Sequence, residues 1–129
     1  MTQTVAWKQQ PDEHDYPAAA AYLSLLTDAD TIKKIEAALQ AAPLAYGKAK
    51  DILRASRLPV LPIDNQHVAA DVAKAKNGKS LSPVLLVRGE LRHDIALQIA
   101  DGYHRVCASY HLAENTDIPY RMAVLDRNI

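Results

Sequence analysis

Asp101-Gly102-Tyr103-His104-Arg105 is the segment of this chain best suited to chemistry. An apolar run of strand character, Ile95 to Ala100, meets Asp101-Gly102, and a helical pattern begins at once with His104 and Arg105 in its first turn. The first N–H groups of a helix have no partner inside it. Together with the helix dipole they favour an anion, typically a phosphate. The chemistry expected is a phosphate cradle: backbone N–H groups around 103–105 hold the anion, Arg105 clamps it, and His104 donates a hydrogen bond or a proton. The competing reading is a structural turn, in which Asp101 caps the helix and Arg105 pairs with a carboxylate. As a cap, Asp101 would sit close to a phosphate and repel it, unless a Mg2+ ion bridged the two and made Asp101 a metal ligand.

Other reactive side chains offer less. His104, Cys107 and His111 fall at i, i+3 and i+7 on one helix face. Two histidines seven residues apart are separated by about 10 Å along a helix, so all three could hardly reach one ion. Even with His93 added, a metal site there is not expected. Cys107 lies past the first turn, where the dipole lowers a thiol pKa most, and reads as a small buried hydrophobe with His111 at the surface. Arg88, Arg92 and His93 read as a solvated loop. Lys33-Lys34 and Lys74, Lys76 and Lys79 read as solvated helix faces.

The elements that must position these groups follow from periodicity and punctuation. Residues 1–16 form a polar arm. A helix is predicted from Pro17 to Leu26, with proline in a favourable first-turn position. A second, capped by Asp30 or Thr31, carries Ile32, Ile35, Ala38 and Leu39 on one stripe and ends before Pro43. A third spans Leu44 to Ser56, with Tyr46, Ala49, Ile52 and Leu53 on one face. Leu58 to Ile63, bounded by prolines, reads as an edge strand. Asp64 caps a helix to Lys76 that Asn77-Gly78 stops. Pro83 to Arg88 is a buried strand, Gly89 to Asp94 a turn, Ile95 to Ala100 a strand, Gly102 to Ala113 a helix and Ile118 to Leu125 a final strand.

Composition narrows the functional classes. The 129 residues suit one domain with a real core, and 49% of them are apolar, which excludes a disordered chain. Acidic and basic residues number 15 each, so net charge gives no reason to expect strong nucleic-acid or membrane binding. Cys107 is the single cysteine, so no intrachain disulfide forms, which fits a cytoplasmic location. No apolar run approaches transmembrane length, and the N-terminus lacks a signal pattern.

The stretch from Leu58 to Leu125 resembles the ParB/sulfiredoxin superfamily in its order of parts. A proline-bounded strand leads to a helix, then to the proline-led strand Ser82-Pro-Val-Leu-Leu-Val87 and a hairpin. A strand then runs into Asp101-Gly-Tyr-His-Arg105, followed by Ala108, and the last strand carries Ile118-Pro-Tyr120. Of the family's junctions, the Asp-Gly-His-His-Arg variant of ParB-like domains, often labelled nucleases, is most similar. The resemblance implies that Gly102, His104 and Arg105 occupy positions that hold nucleotide phosphates. Sulfiredoxin activity is not expected, because Tyr103 stands where the catalytic cysteine would precede His-Arg. The acidic and asparagine nucleotide contacts of partition proteins have no clear counterpart in Leu44 to Arg57. This sequence ends at Ile129, so the helix-turn-helix reader that follows the domain in partition proteins is not expected of it.

The expectation is an α+β fold: a small mixed sheet packed with helices in the ParB/sulfiredoxin manner (residues 58–129), plus an N-terminal arm and helical extension (residues 1–57) sharing its core. The function expected is binding of a nucleotide or other phosphate ligand by Gly102, Tyr103, His104 and Arg105. In its catalytic form, His104 and Arg105 would perform phosphoryl transfer or nucleotide hydrolysis on a nucleoside triphosphate, with Mg2+ at Asp101. The alternative is a non-enzymatic interaction module with a vestigial phosphate site, its N-terminal helices facing a protein partner. A DNA nuclease has less support, since there is neither an acidic cluster at two-metal spacing nor a basic stripe.

Overall fold

Val84 to Val87 are four consecutive buried residues, and they form the strand around which the rest is arranged. The computed structural model describes residues 4–125; the first three residues of the expected arm and the last four of the chain lie outside it. In chain order the elements are α1 (Asp15–Leu23), α2 (Ala29–Ala41), β1 (Ala45–Lys48), α3 (Ala49–Ser56), α4 (Gln66–Lys76), β2 (Val84–Val87), a 3-10 turn (Leu91–His93), β3 (Gln98–Asp101), α5 (Tyr103–Leu112) and β4 (Asp117–Ala123). The sheet order is β1-β4-β2-β3, with β2 and β4 parallel and the outer pairs antiparallel. The fold is therefore α+β with a mixed four-stranded sheet.

Side chains alternate across a strand, and β2 shows why both faces must be covered. Val84 and Leu86 pack with Ile52, Val68, Val106 and Ile118 under α3, α4 and α5. Leu85 and Val87 pack with Ala19, Leu23, Ile35 and Leu39 under α1 and α2. The N-terminal helices are thus one layer of a three-layer arrangement. The arm is fastened too: Trp7 bridges Leu81 in parallel, with Lys8 N–H donating to the Leu81 carbonyl at 2.8 Å. No helix of the described residues is long and apolar enough to cross a membrane.

Several local expectations need correction. The predicted helix over Leu44–Ser56 is β1 followed by the shorter α3. Pairing with β4 overrides helix propensity there, and Gly47 lets Tyr120 approach to within 3.3 Å of where a Cβ would stand. Tyr46 is consequently 65% exposed on an edge strand, away from the buried face of Ala49, Ile52 and Leu53. Leu58–Ile63 is not a strand. Pro59 and Pro62 remove ladder donors, and the segment bonds to α5 instead. The helix caps are Asp28 and Asn65, not Asp30, Thr31 or Asp64. His111 is half-buried, with Nε2 2.7 Å from the Leu61 carbonyl oxygen, and is not a surface residue.

The register of β3 bears on the site. Leu86 pairs with Ile99 but Leu85 pairs with Asp101, so Ala100 is an extra residue, a β-bulge one position before the Asp-Gly junction. Paired residues share a face of the sheet. Leu85 belongs to the α1/α2 core, so the bulge brings Asp101 to the α1 side, where Asp15 lies.

Candidate functional site

Gly102 opens α5 with φ +108°, a left-handed conformation that L side chains rarely adopt. A Cβ there would lie 2.5 Å from Val84 Cγ1 and 2.9 Å from Arg105 Nη2, so steric crowding requires glycine as well. Glycine brings no capping side chain, and among the described residues the first N–H groups of α5 have no side-chain acceptor. Asp101 is not the cap. It is the last residue of β3, and its Oδ2 accepts from Arg105 Nη2 at 2.8 Å.

The other wall is supplied by α4. Asn65 caps it by accepting from the N–H groups of His67 and Val68. Val68, Val72 and Ala75 turn into the core, and His67, Asp71 and Lys74, each one position earlier at i, i+4 and i+7, form the stripe that flanks them. These three residues and Asp101, Gly102, His104 and Arg105 line one cleft of about 260 Å3. Across it the rings of His67 and His104 stack, 4.8 Å between centroids.

Electrostatics within the cleft are mixed. Burial, and then the neighbouring His67, push the His104 imidazole below its ordinary value, against the pull of Asp71. Burial raises the Asp71 carboxyl, opposed by Lys74, Arg105 and both histidines. Burial also raises Asp101, opposed by Arg105 and reinforced by Asp15. A neutral imidazole beside a cation and an uncapped helix end can accept or pass a proton next to a bound anion.

Arg105 is anchored more firmly than a free clamp would be. Its Nη2 meets Asp101 Oδ2 at 2.8 Å, the Pro83 carbonyl at 3.4 Å and Asp15 Oδ2 at 3.8 Å. Among the described residues its Nε is buried without a hydrogen-bond partner. Tyr103 turns away from the cleft, and its hydroxyl donates to the Pro59 carbonyl. What it contributes at the junction is its backbone.

Of the residues singled out by sequence, Asp101, Gly102, His104 and Arg105 come together here. Cys107 and His111 do not join them. The Cys107 thiol is fully buried and accepts from the Leu61 N–H at 3.5 Å, and burial raises its pKa. Arg88 lines a separate groove beside Arg54 and Arg57. His67, Asp71, Lys74 and Asp15 were not foreseen. The alternation of apolar and polar residues in α4 shows a helix with one wet face, but nothing in that spacing says the face meets α5.

Asp71 and Asp101 are the hard oxygen donors of the kind Mg2+ prefers that line the cleft, and Oδ2 of Asp101 already accepts from Arg105. The one group of metal-ligating side chains already in mutual reach among the described residues is Asp12, His14 and Asp15 at the start of α1. Compared with protein-family models, with curated proteins and with solved structures, the chain matches none.

Proposed function

We propose that the cleft between α4 and the start of α5 binds the phosphate end of a nucleotide or similar phosphate ester. One observation carries this reading. His67, Lys74, His104 and Arg105 converge from two helices on an uncapped helix N-terminus that a positive-φ glycine holds open. Each element favours an anion for its own physical reason. The sequence resemblance to the ParB/sulfiredoxin superfamily, and with it the proposed kinship of fold, supports the same site.

The size of the cleft sharpens the proposal. At about 260 Å3 it is smaller than the roughly 300–1,000 Å3 of pockets that enclose a whole drug-sized ligand. It suits one or two phosphate groups, with any sugar and base lying outside on the surface. Mg2+ would be held by Asp71 and Asp101 and would neutralise phosphate charge there. In a catalytic version His104 takes or returns the proton while Lys74 and Arg105 stabilise charge on the phosphoryl group.

The test is a thermal-shift screen of CTP, ATP, GTP, their diphosphates and sulfate, each with and without Mg2+, on wild type, Lys74→Ala and Arg105→Lys. A ligand that binds only the native state raises the melting temperature. A shift in wild type that both variants diminish is the expected result. No shift with any ligand sinks the proposal. It would favour the second reading, a protein-interaction module, for which Leu25 and Leu26 stand 82% and 56% exposed in the turn after α1.

A further inference from the structure

We propose that Asp15 is a positioning residue for the phosphate cleft: it fixes the guanidinium of Arg105 so that Nη1 is left for the anion. The inference rests on the phosphate reading of the cleft, and it adds a residue from the opposite layer of the fold.

Asp15 has a side chain only 2% exposed. A buried carboxylate needs hydrogen bonds and a compensating charge. Its Oδ2 accepts from Ser82 Oγ at 2.8 Å and from the Asp12 N–H at 3.0 Å. Compensating charge comes from Arg105 Nη2 at 3.8 Å, since the other neighbour, His14 Nε2 at 3.5 Å from Oδ1, is 81% exposed to water. Helix capping does not explain this placement. Asp15 is the first residue of α1, the N-cap is His14, and the N–H that Asp15 accepts lies upstream of the helix.

The view from Arg105 is the same. An arginine paired only with a carboxylate commonly presents two parallel N–H groups to it. Here Nη2 donates to Asp101 at the end of β3 and to the Pro83 carbonyl before β2, and the Asp15 carboxylate of α1 stands 3.8 Å away as a third, charged neighbour. Two hydrogen bonds and one opposite charge hold this end of the guanidinium in place. Nε is buried without a partner, so Nη1 is the nitrogen left to reach a ligand. The geometry is fastened from both ends, because the arm that leads to Asp15 is tied to Leu81, one residue from Ser82.

Asp15→Asn keeps the shape and the acceptor for Ser82 while removing the charge that faces Arg105. Two readouts are taken on the full chain: the side-chain N–H signals of Arg105 by NMR, assigned by their loss in Arg105→Lys, and the affinity for inorganic phosphate and CTP by calorimetry. The expected result is a broadened or shifted Arg105 signal and an affinity reduced about tenfold, the loss expected of one charge-assisted contact. Asp15→Asn should add nothing further in an Arg105→Lys background, because it acts through the guanidinium. An unchanged Arg105 signal, or losses that simply add, overturns the proposal even if melting temperature falls. If Asp15→Asn does not fold, Ser82→Ala decides by the same readouts, since it removes one of the bonds that hold Asp15. A wild type that binds neither phosphate nor CTP defeats the phosphate reading, and the positioning claim with it. A wild type that binds both, with Asp15→Asn unaltered, defeats only the positioning claim.

Discussion

His67 of α4 and His104 of α5 stack with ring centroids 4.8 Å apart and planes inclined by 44°. The contact is where the two helices that wall the cleft meet through their side chains.

Burial, reinforced by the pairing, sets the protonation of His104. Burial first, and His67 second, hold its pKa below the ordinary value, so the imidazole is neutral at pH 7. The unfolded chain takes the proton at higher pH than the folded one. As pH falls through the ordinary histidine range the unfolded state binds more protons, and this group then destabilises the fold; above that range it contributes nothing. NMR titration should give a His104 midpoint under about 6.5. His67→Ala should raise it, by exposing the ring and removing the neighbouring imidazole. A midpoint that does not move would show that the stacking has no electrostatic consequence.

Gly102→Ala places a methyl 2.5 Å from Val84 Cγ1 at a residue with φ +108°. Backbone strain and overpacking each cost roughly 1–3 kcal/mol, so a total of roughly 2–6 kcal/mol is expected. Urea denaturation should show a lower midpoint with an unchanged slope. A loss under about 0.5 kcal/mol, the range of ordinary surface substitutions, would contradict the crowding described.

Lys74 and Asp71 should act in opposite senses. Lys74 is exposed, so Lys74→Ala should leave stability within about 0.5 kcal/mol and weaken phosphate binding. Burial pushes the Asp71 carboxyl above the ordinary carboxylate range, so its contribution to stability declines as pH rises through that range. Asp71→Asn should therefore be more stable than wild type at neutral pH. It should bind phosphate more tightly without Mg2+ and respond less to the ion. Calorimetry with and without Mg2+ checks both arms, and equal affinities in wild type and variant would remove Asp71 from the site.

Cys107 should behave as a core residue. Its thiol is fully buried and its pKa is raised by burial, so an aromatic disulfide reagent should label it only on unfolding. Cys107→Ser should leave ligand affinity intact and lower the melting temperature. Rapid labelling of the native protein would contradict this.

Much of the β2-to-α5 region was legible from the chain. Val84–Val87 announces a doubly covered strand because no polar residue interrupts it, and Asp101-Gly102 announces a junction because only glycine suits it. Long-range pairing was not legible. Ala45–Lys48 has residues that suit a helix, and only the presence of β4 makes it a strand. Leu58–Ile63 has the residues of an edge strand, but Tyr103 and His111 offer its carbonyls better partners than a ladder does. The site was half visible for the same reason. Motif residues adjacent in sequence could be grouped, whereas Asp15, His67, Asp71 and Lys74 reach it only through tertiary packing.

Val84 contributes to the core under α4 and α5 and is also the side chain against which Gly102 is pressed. Its strand is buried on both faces and bonded along both edges. Backbone amides in such a position exchange with solvent only when the whole domain opens, whereas exposed segments open locally at little cost. The strand against which Gly102 rests therefore belongs to the last part of the molecule to come apart. The start of α5 is seated on that strand through Gly102, so the ordering a ligand must impose falls on the long side chains at the rim, Lys74 above all.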